Sequence, residues 1–219
     1  LYDLNTFTAD EAILPTRGGD WDDGGLWRDL FQHNWGVNNG LIISTWDYLY
    51  GVIMQCNQSI DKLTSLKEAD PSNEYFDIYQ AEVRALRAMY YYYLIDMFAR
   101  VPIVESSETK MEDVEQSERS EVFAFIKKEL EEVTPLLVEA KSADNGEYYG
   151  RMTKAVGYFL LAKLALNAEV YTDDNWTDNN RPNGKDIKFT IDGQEMNCWE
   201  AVVAYADKIK ACGYELNQG

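Results

Sequence analysis

The sequence predicts an all-α fold, an α-solenoid scaffold in which paired helices are joined by long loops. Two observations lead to this prediction. Apolar side chains recur every three to four residues over five stretches of the chain, as they do along one face of a helix. Prolines, glycines and polar segments separate these stretches, so each stretch is expected to form its own helix.

The first two predicted helices cover residues 43–66 and 73–98. Pro71 breaks the apolar pattern between them. Pro102 prevents the second helix from continuing, because proline has no backbone N–H and disfavours helical conformation in the residue before it.

The third and fourth predicted helices cover residues 120–138 and 153–171. Ser120 suits the N-cap position of the third helix, because its hydroxyl can accept a hydrogen bond from the first turn. The fourth helix mixes alanines and Gly157 with large apolar residues. Small side chains at this density allow a neighbouring helix to approach closely.

One small β-hairpin is predicted after the fourth helix. Residues 188–191 and 194–197 flank the dipeptide Asp192-Gly193. Aspartate followed by glycine is the strongest short-range signal for a two-residue hairpin turn, and no other hairpin is expected in the chain.

The last predicted helix covers residues 199–212, and Asn197 with Glu200 resembles a capping box at its start. Helix pairs with interspersed alanines are typical of tetratricopeptide-like repeats. The chain is therefore expected to be a single helical domain, loop-rich over residues 1–42 and built of helical repeats over residues 43–219.

The charge of the chain excludes several classes of partner. The 38 acidic and 20 basic residues give a formal net charge of −18, which repels nucleic-acid phosphates and anionic membranes. A neutral ligand remains compatible with this charge. Aromatic residues reach 13%, more than a helical core needs, which favours either packing between helices or exposed stacking platforms.

No stretch of the sequence is long and apolar enough to cross a bilayer. The most apolar run, Tyr90–Phe98, is short and contains Asp96. The chain begins at Leu1 without a methionine or a signal peptide. We therefore expect a piece of a longer protein, whose targeting sequence lies outside these 219 residues.

Several segments together resemble one family, the SusD/RagB-type proteins of Bacteroidetes polysaccharide-uptake systems. The segments occur in the family's order, and the resemblance that they mark extends over nearly all of the chain: 14–21 (LPTRGGDW), 81–91 (AEVRALRAMYY), 96–102 (DMFARVP), 150–155 (GRMTKA), 161–168 (LAKLALNA), 205–207 (YAD) and 213–216 (GYEL). Ala99 departs from the glycine that many relatives carry at this position. The lipid-bearing cysteine, the first helix and the C-terminal half common in the family are not in this sequence.

The resemblance implies both a location and a function. The expected protein is a tetratricopeptide-like lipoprotein on the outer face of the outer membrane, held there by a lipid anchor outside this chain. It would capture oligosaccharide or polysaccharide without chemical change and deliver it to a TonB-dependent, SusC-like transporter. None of these properties follows from charge or spacing.

Trp21 is the first candidate for contact with a glycan. It lies in a loop without core periodicity, and a ring there can stack on the apolar face of a pyranose. By its place in the motif it resembles the tryptophan that serves relatives as a sugar platform. The alternative is that Trp21 pins the loop to the helices.

Four further residues complete the candidate site. Arg17, Asp20 and Asp22 can form hydrogen bonds with sugar hydroxyls, or can pair with one another to hold the loop. Trp27 either adds a second ring to the site or packs at the rim of the core.

No cofactor and no metal are expected. Two aspartate clusters could bind Ca²⁺ through carboxylate oxygens, but neither has the spacing of an EF-hand: Asp20/Asp22/Asp23 and Asp173/Asp174/Asp178. The three cysteines have no metal-like spacing. His33 is the only histidine, and no catalytic triad can be assembled around it.

Two alternative functions remain open. A helical glycoside hydrolase would use two carboxylates a few ångströms apart, and with 38 acidic residues such pairs arise by chance. A peptide-binding tetratricopeptide adaptor would need a groove lined with recurring polar and basic residues. Since no acidic residue lies in a recognisable catalytic motif, the protein is predicted not to be an enzyme.

Overall fold

A computed structural model describes residues 1–144 and 146–216 of the chain. The chain divides into two compact units, Leu1–Gly51 and Val52–Gly219. Within the described residues it forms eight α-helices: α1 (Tyr2–Phe7), α2 (Leu26–Phe31), α3 (Gly40–Ala69), α4 (Tyr75–Phe98), α5 (Arg119–Val133), α6 (Lys154–Leu166), α7 (Ala168–Tyr171) and α8 (Cys198–Ala211). One hairpin of two strands, β1 (Lys188–Ile191) and β2 (Gln194–Asn197), precedes α8. The prediction of a helical fold with one small hairpin is confirmed.

The first unit contains two short helices that the sequence pattern does not predict. The helices α1 and α2 have six residues each, and each buries a single side chain, Leu4 in α1 and Leu30 in α2. A helix of six residues shows less than two turns of apolar spacing, so its pattern cannot be told from that of a loop. Residues 1–42 are therefore less loop-rich than the sequence indicates.

The longer helices of the second unit pack against one another in chain order, α4 against α5, α5 against α6, and α6 against α8. The small residues have the role that the sequence predicts. Gly157 of α6 lies so close to Thr134 that an added Cβ would be 2.4 Å from the threonine hydroxyl oxygen. The close approach of these two segments thus requires glycine.

The helix boundaries differ from the predicted ones by a few residues. The helix α3 begins three residues early, because the side chain of Asn39 accepts hydrogen bonds from the N–H groups of Leu41 and Ile42. The predicted helix over residues 153–171 is interrupted at Asn167, which divides it into α6 and α7. The predicted helix over residues 120–138 is α helix only to Val133.

The N-cap of α5 is Glu118 and not Ser120 as predicted. The carboxylate of Glu118 and that of Glu121 form a reciprocal capping box. Ser120 lies inside the first turn, where its N–H and hydroxyl both donate to the carboxylate of Asp174, over 2.8 and 2.6 Å. The hydroxyl of Ser120, which the local pattern would assign to capping, therefore binds Asp174, a residue far along the chain.

The hairpin agrees with the prediction in its strands and its turn. The two strands pair antiparallel, with Ile191 opposite Gln194. Asp192 and Gly193 both have positive φ, 52° and 78°, as a two-residue turn of type I′ requires. The predicted capping box of Asn197 and Glu200 is also present at the start of α8.

Candidate functional site

The loop before α2 contains four of the five candidate residues, and a tight turn gives it its shape. The N–H of Arg17 donates to the carbonyl of Asp20 over 3.1 Å, and the N–H of Asp20 donates to the carbonyl of Arg17 over 3.0 Å. Two glycines form the tip, and Gly18 takes the left-handed conformation, with φ 63°. The backbone therefore brings Arg17 and Asp20 side by side, with both side chains exposed.

Trp21 follows this turn directly and presents its ring to solvent. Its backbone is left-handed, with φ 61°, a conformation that is uncommon for a bulky residue and must be held by its surroundings. The residue is 55% exposed. A ring that is this exposed is not a core residue, so its geometry suits a stacking platform better than an anchor of the loop.

Trp27 supports Trp21 from the side. The two rings meet edge to face, with centroids 6.2 Å apart and planes at 70°. Trp27 is itself half-buried. Its indole N–H donates to the carboxylate of Asp23 over 2.7 Å, and Phe7 packs against it edge to face at 5.1 Å. Its only polar side-chain group is thus already paired, and the role left to Trp27 is to support the ring of Trp21 by this edge-to-face contact.

Sequence reasoning missed two supporting residues of this site, Phe7 and Asp23. The link between Asp23 and Trp27 could have been found from their spacing of four residues, which places side chains close together on a helical turn. Phe7 has no such signal, because the loop between α1 and α2 separates it from Trp27.

Asp22 contributes to the loop through its backbone. Its carbonyl accepts from the N–H of Gly25 over 2.6 Å, and its exposed carboxylate remains available to a ligand. Four of the candidates, Arg17, Asp20, Trp21 and Asp22, are thus exposed on one loop, and the half-buried ring of Trp27 contacts Trp21 from α2. Such a loop can stack on a sugar ring and form hydrogen bonds with its hydroxyls. That these residues bind a glycan stays a prediction.

The structure does not assemble a metal site from the residues it describes. In that part of the chain, no group of three or more histidine, cysteine, aspartate or glutamate side chains lies close enough to hold an ion. Asp174 binds Ser120, and Asp173 accepts from the N–H of Asn175. The expected lack of a cofactor stays a prediction. Among the described residues, no helix combines the length and apolar character needed to cross a bilayer.

Comparison with known proteins finds one family. Residues 19–166, more than half of the chain, match the sequence model of a SusD-like family described as starch-binding and associating with the outer membrane. The starch-binding protein SusD of Bacteroides thetaiotaomicron is 32% identical over 120 residues, which are 55% of this chain and 20% of that protein.

Solved structures show the same fold. A SusD homologue from Bacteroides thetaiotaomicron superposes with a TM-score of 0.67 at 19% identity, over 99% of this chain and 40% of that one. The surface glycan-binding protein A of Bacteroides uniformis gives 0.63 at 24% identity, over 88% and 36%. This chain spans less than half the length of these relatives. The match to the family over residues 19–166 shows that the chain belongs to the SusD-like family of starch-binding, outer-membrane-associated proteins.

Proposed function

We propose that this protein captures neutral oligosaccharide or polysaccharide at the outer face of the outer membrane and delivers it unchanged to a TonB-dependent, SusC-like transporter. The observation that carries the proposal is the exposed position of Trp21, whose ring is supported edge to face by Trp27. Membership of a family described as starch-binding supports the same conclusion. The location and the transporter partner rest on that family alone.

The surroundings of Trp21 favour a neutral sugar over a charged one. The candidate residues of this loop include the carboxylates of Asp20 and Asp22 and the guanidinium of Arg17. The net charge of −18 repels polyanions from the molecule as a whole. Hydroxyls can donate to the carboxylates and accept from the guanidinium, and a pyranose face offers C–H groups to the indole.

The first prediction is that Trp21→Ala weakens glycan binding and leaves the fold intact. Stacking removes apolar area from water at roughly 25 cal/mol per Å². Loss of the ring should therefore reduce affinity by about tenfold to a hundredfold, which corresponds to about 1.4–2.8 kcal/mol. Affinity electrophoresis in gels with starch or other neutral polysaccharides measures the first effect, and the melting temperature measures the second.

Trp35→Ala is the matched control, since Trp35 is a second exposed tryptophan of the same unit, at 40% exposure. Its removal should leave the affinity unchanged. A large fall in the melting temperature of Trp21→Ala, or unaltered affinity, would show that Trp21 is structural. Release of free sugar by the purified protein would contradict capture without chemistry.

A further inference from the structure

A third exposed tryptophan, Trp176, lies in the polar segment 172–184 of the second unit and has no role in the site described above. Its exposure is 59%. A single exposed apolar side chain is common and needs no explanation on its own. What distinguishes Trp176 is the way in which its ring is held.

The ring of Trp176 lies over a guanidinium. The Cζ atom of Arg100 is 5.6 Å from the ring centroid, within the range of a cation–π contact. Arg100 is itself fixed, because its Nη2 donates to the carbonyl of Asp174 over 2.8 Å and its Nε lies 2.8 Å from the carboxylate of Glu118. One face of the indole is thus occupied by an immobilised side chain, while the residue as a whole remains open to solvent.

The segment that carries Trp176 is held just as firmly. The carboxylate of Asp174 accepts the N–H and the hydroxyl of Ser120, at the start of α5. Asp173 is buried, and its carboxylate accepts from the N–H of Asn175 over 3.0 Å. A ring held by these neighbours is ordered before a ligand arrives, which reduces the entropy lost on binding.

Other exposed side chains of the same segment suit hydroxyl groups. Asn175, Asn179 and Asn180 are all exposed, and each amide offers both donors and acceptors. The side-chain amide of Asn175 donates to the carboxylate of Asp178 over 3.1 Å, and its carbonyl oxygen accepts from the hydroxyl of Thr177 over 2.7 Å, so its orientation is fixed. The charge of Arg100 is balanced by Glu118, so the surroundings favour a neutral ligand.

We propose that Trp176, held on Arg100, is a second platform for a neutral glycan, on which one pyranose stacks against the open face of the indole. Exposed amides of the same segment form hydrogen bonds with its hydroxyls. This inference rests on the proposed function, since it assumes that glycans are what the protein captures. The two tryptophans belong to different compact units, so each can be replaced and tested separately.

The test uses the full-length protein and affinity electrophoresis in gels containing amylopectin, laminarin or xyloglucan. Trp176→Ala and Trp21→Ala are compared with wild type, with the double variant and with Trp199→Ala, which removes an exposed tryptophan of α8. With the polysaccharide that retards wild type most, each platform variant should lose about tenfold in affinity. The double variant should lose more than either, and Trp199→Ala should match wild type.

The outcomes separate the two proposals. Wild-type affinity in Trp176→Ala overturns the second platform and leaves capture through Trp21 intact. If no polysaccharide retards the wild-type protein, both proposals are overturned. Should Trp176→Ala have a lowered melting temperature, Trp176→Phe keeps a ring on Arg100 and is expected to give intermediate affinity. Trp176→Leu, which keeps an apolar side chain but no ring, should lose as much affinity as Trp176→Ala, and wild-type affinity of Trp176→Leu for every polymer would overturn the inference.

Discussion

Ala99 adopts a backbone conformation that its side chain makes unfavourable. It is the capping residue of α4, with φ 62° and ψ −80°, and its N–H donates to the carbonyl of Ile95 over 3.1 Å. Residues other than glycine rarely take positive φ, because the Cβ atom then approaches neighbouring backbone atoms. The family resemblance identified this position as one where many relatives carry glycine, and the structure supplies the physical reason.

The second prediction is that Ala99→Gly stabilises the protein. Removal of the Cβ relieves the strain, and this gain exceeds the greater conformational entropy of glycine in the unfolded chain. We expect the free energy of unfolding to rise by about 1 kcal/mol. Urea denaturation followed by circular dichroism measures this change.

Ala124→Gly is the matched control, because Ala124 is exposed within α5 and has helical neighbours on both sides. The same chemical change should there destabilise by about 1 kcal/mol, since glycine is a poor helix former. A loss of stability in both variants would show that Ala99 is not strained.

For single residues, the sequence predicts those features that depend only on neighbouring positions in the chain. Asp192-Gly193 determines its turn without help from distant residues, and Trp21 is exposed because no apolar periodicity surrounds it. The support of Trp27 by Phe7 is not predictable, because these rings lie 20 positions apart and meet through the fold. The contact between Arg100 and Trp176 is not predictable either, because it too joins residues that are distant in the sequence.

Among the elements, α4 and α5 are joined by a charged network inside the second unit. Glu129 of α5 accepts from the Nη2 atoms of Arg84 and Arg87, over 2.5 and 2.7 Å. Glu129 and Arg87 are both buried, at 4% and 3% exposure. Arg87 also donates to Asn57 of α3 over 2.8 Å, so a single guanidinium links three helices. Removing one partner would leave a buried charge uncompensated.

The third prediction concerns Glu129→Gln. The amide preserves the shape of the side chain but removes the negative charge that Arg87 faces. The free energy of unfolding at neutral pH should therefore fall by about 3 kcal/mol. Glu132→Gln is the control, because Glu132 also binds Arg84 but its side chain is 46% exposed, and its loss should cost less than about 1 kcal/mol.

The carboxylate of Glu129 should also make the stability of the protein depend on pH, and Glu129→Gln should lose this dependence. Burial raises the pKa of Glu129, but the hydrogen bonds and positive charges of Arg84 and Arg87 outweigh it, so the pKa lies below its ordinary value of 4.5. The stabilisation is complete above the ordinary pKa and is lost as pH falls through the lowered one. Thermal melts from pH 7 to pH 3 should therefore show a smaller decline in Glu129→Gln than in wild type. Equal declines would mean that this carboxylate does not contribute.

The elements that the sequence predicts well are the long ones. Five stretches of helical periodicity correspond to helices of the structure, because many turns of apolar spacing outweigh local irregularities. The sequence does not predict the short helices α1 and α2, because six residues are too few to show a helical spacing of apolar side chains. The start of α5 was misplaced because Ser120 binds Asp174, 54 positions away, and no local pattern contains that contact.

The molecule as a whole carries a net charge of −18, and its proposed ligand carries none. The fourth prediction follows from this difference. Affinity for a neutral polysaccharide should change by less than about twofold between 20 mM and 500 mM NaCl, since salt screens only interactions between charges. Affinity electrophoresis at the two salt concentrations measures it.

A carboxymethylated form of the same polysaccharide is the matched comparison. It keeps the sugar rings but adds negative charge, so the protein should fail to bind it at 20 mM NaCl and should regain some affinity at 500 mM. Binding that is strongest at low salt for the carboxymethylated form would contradict the selection of a neutral ligand.

The hydrogen bond between Arg100 and Asp174 has a consequence for the order in which the chain folds. These two residues lie 74 positions apart, and the chain between them contains α5, α6 and α7. Closing so long a loop is entropically unfavourable until the intervening helices have packed together. We therefore expect the ring of Trp176 to reach its guanidinium only after α5, α6 and α7 have packed. The difference in fluorescence between wild type and Trp176→Ala should then develop later in refolding than the circular dichroism of the helices.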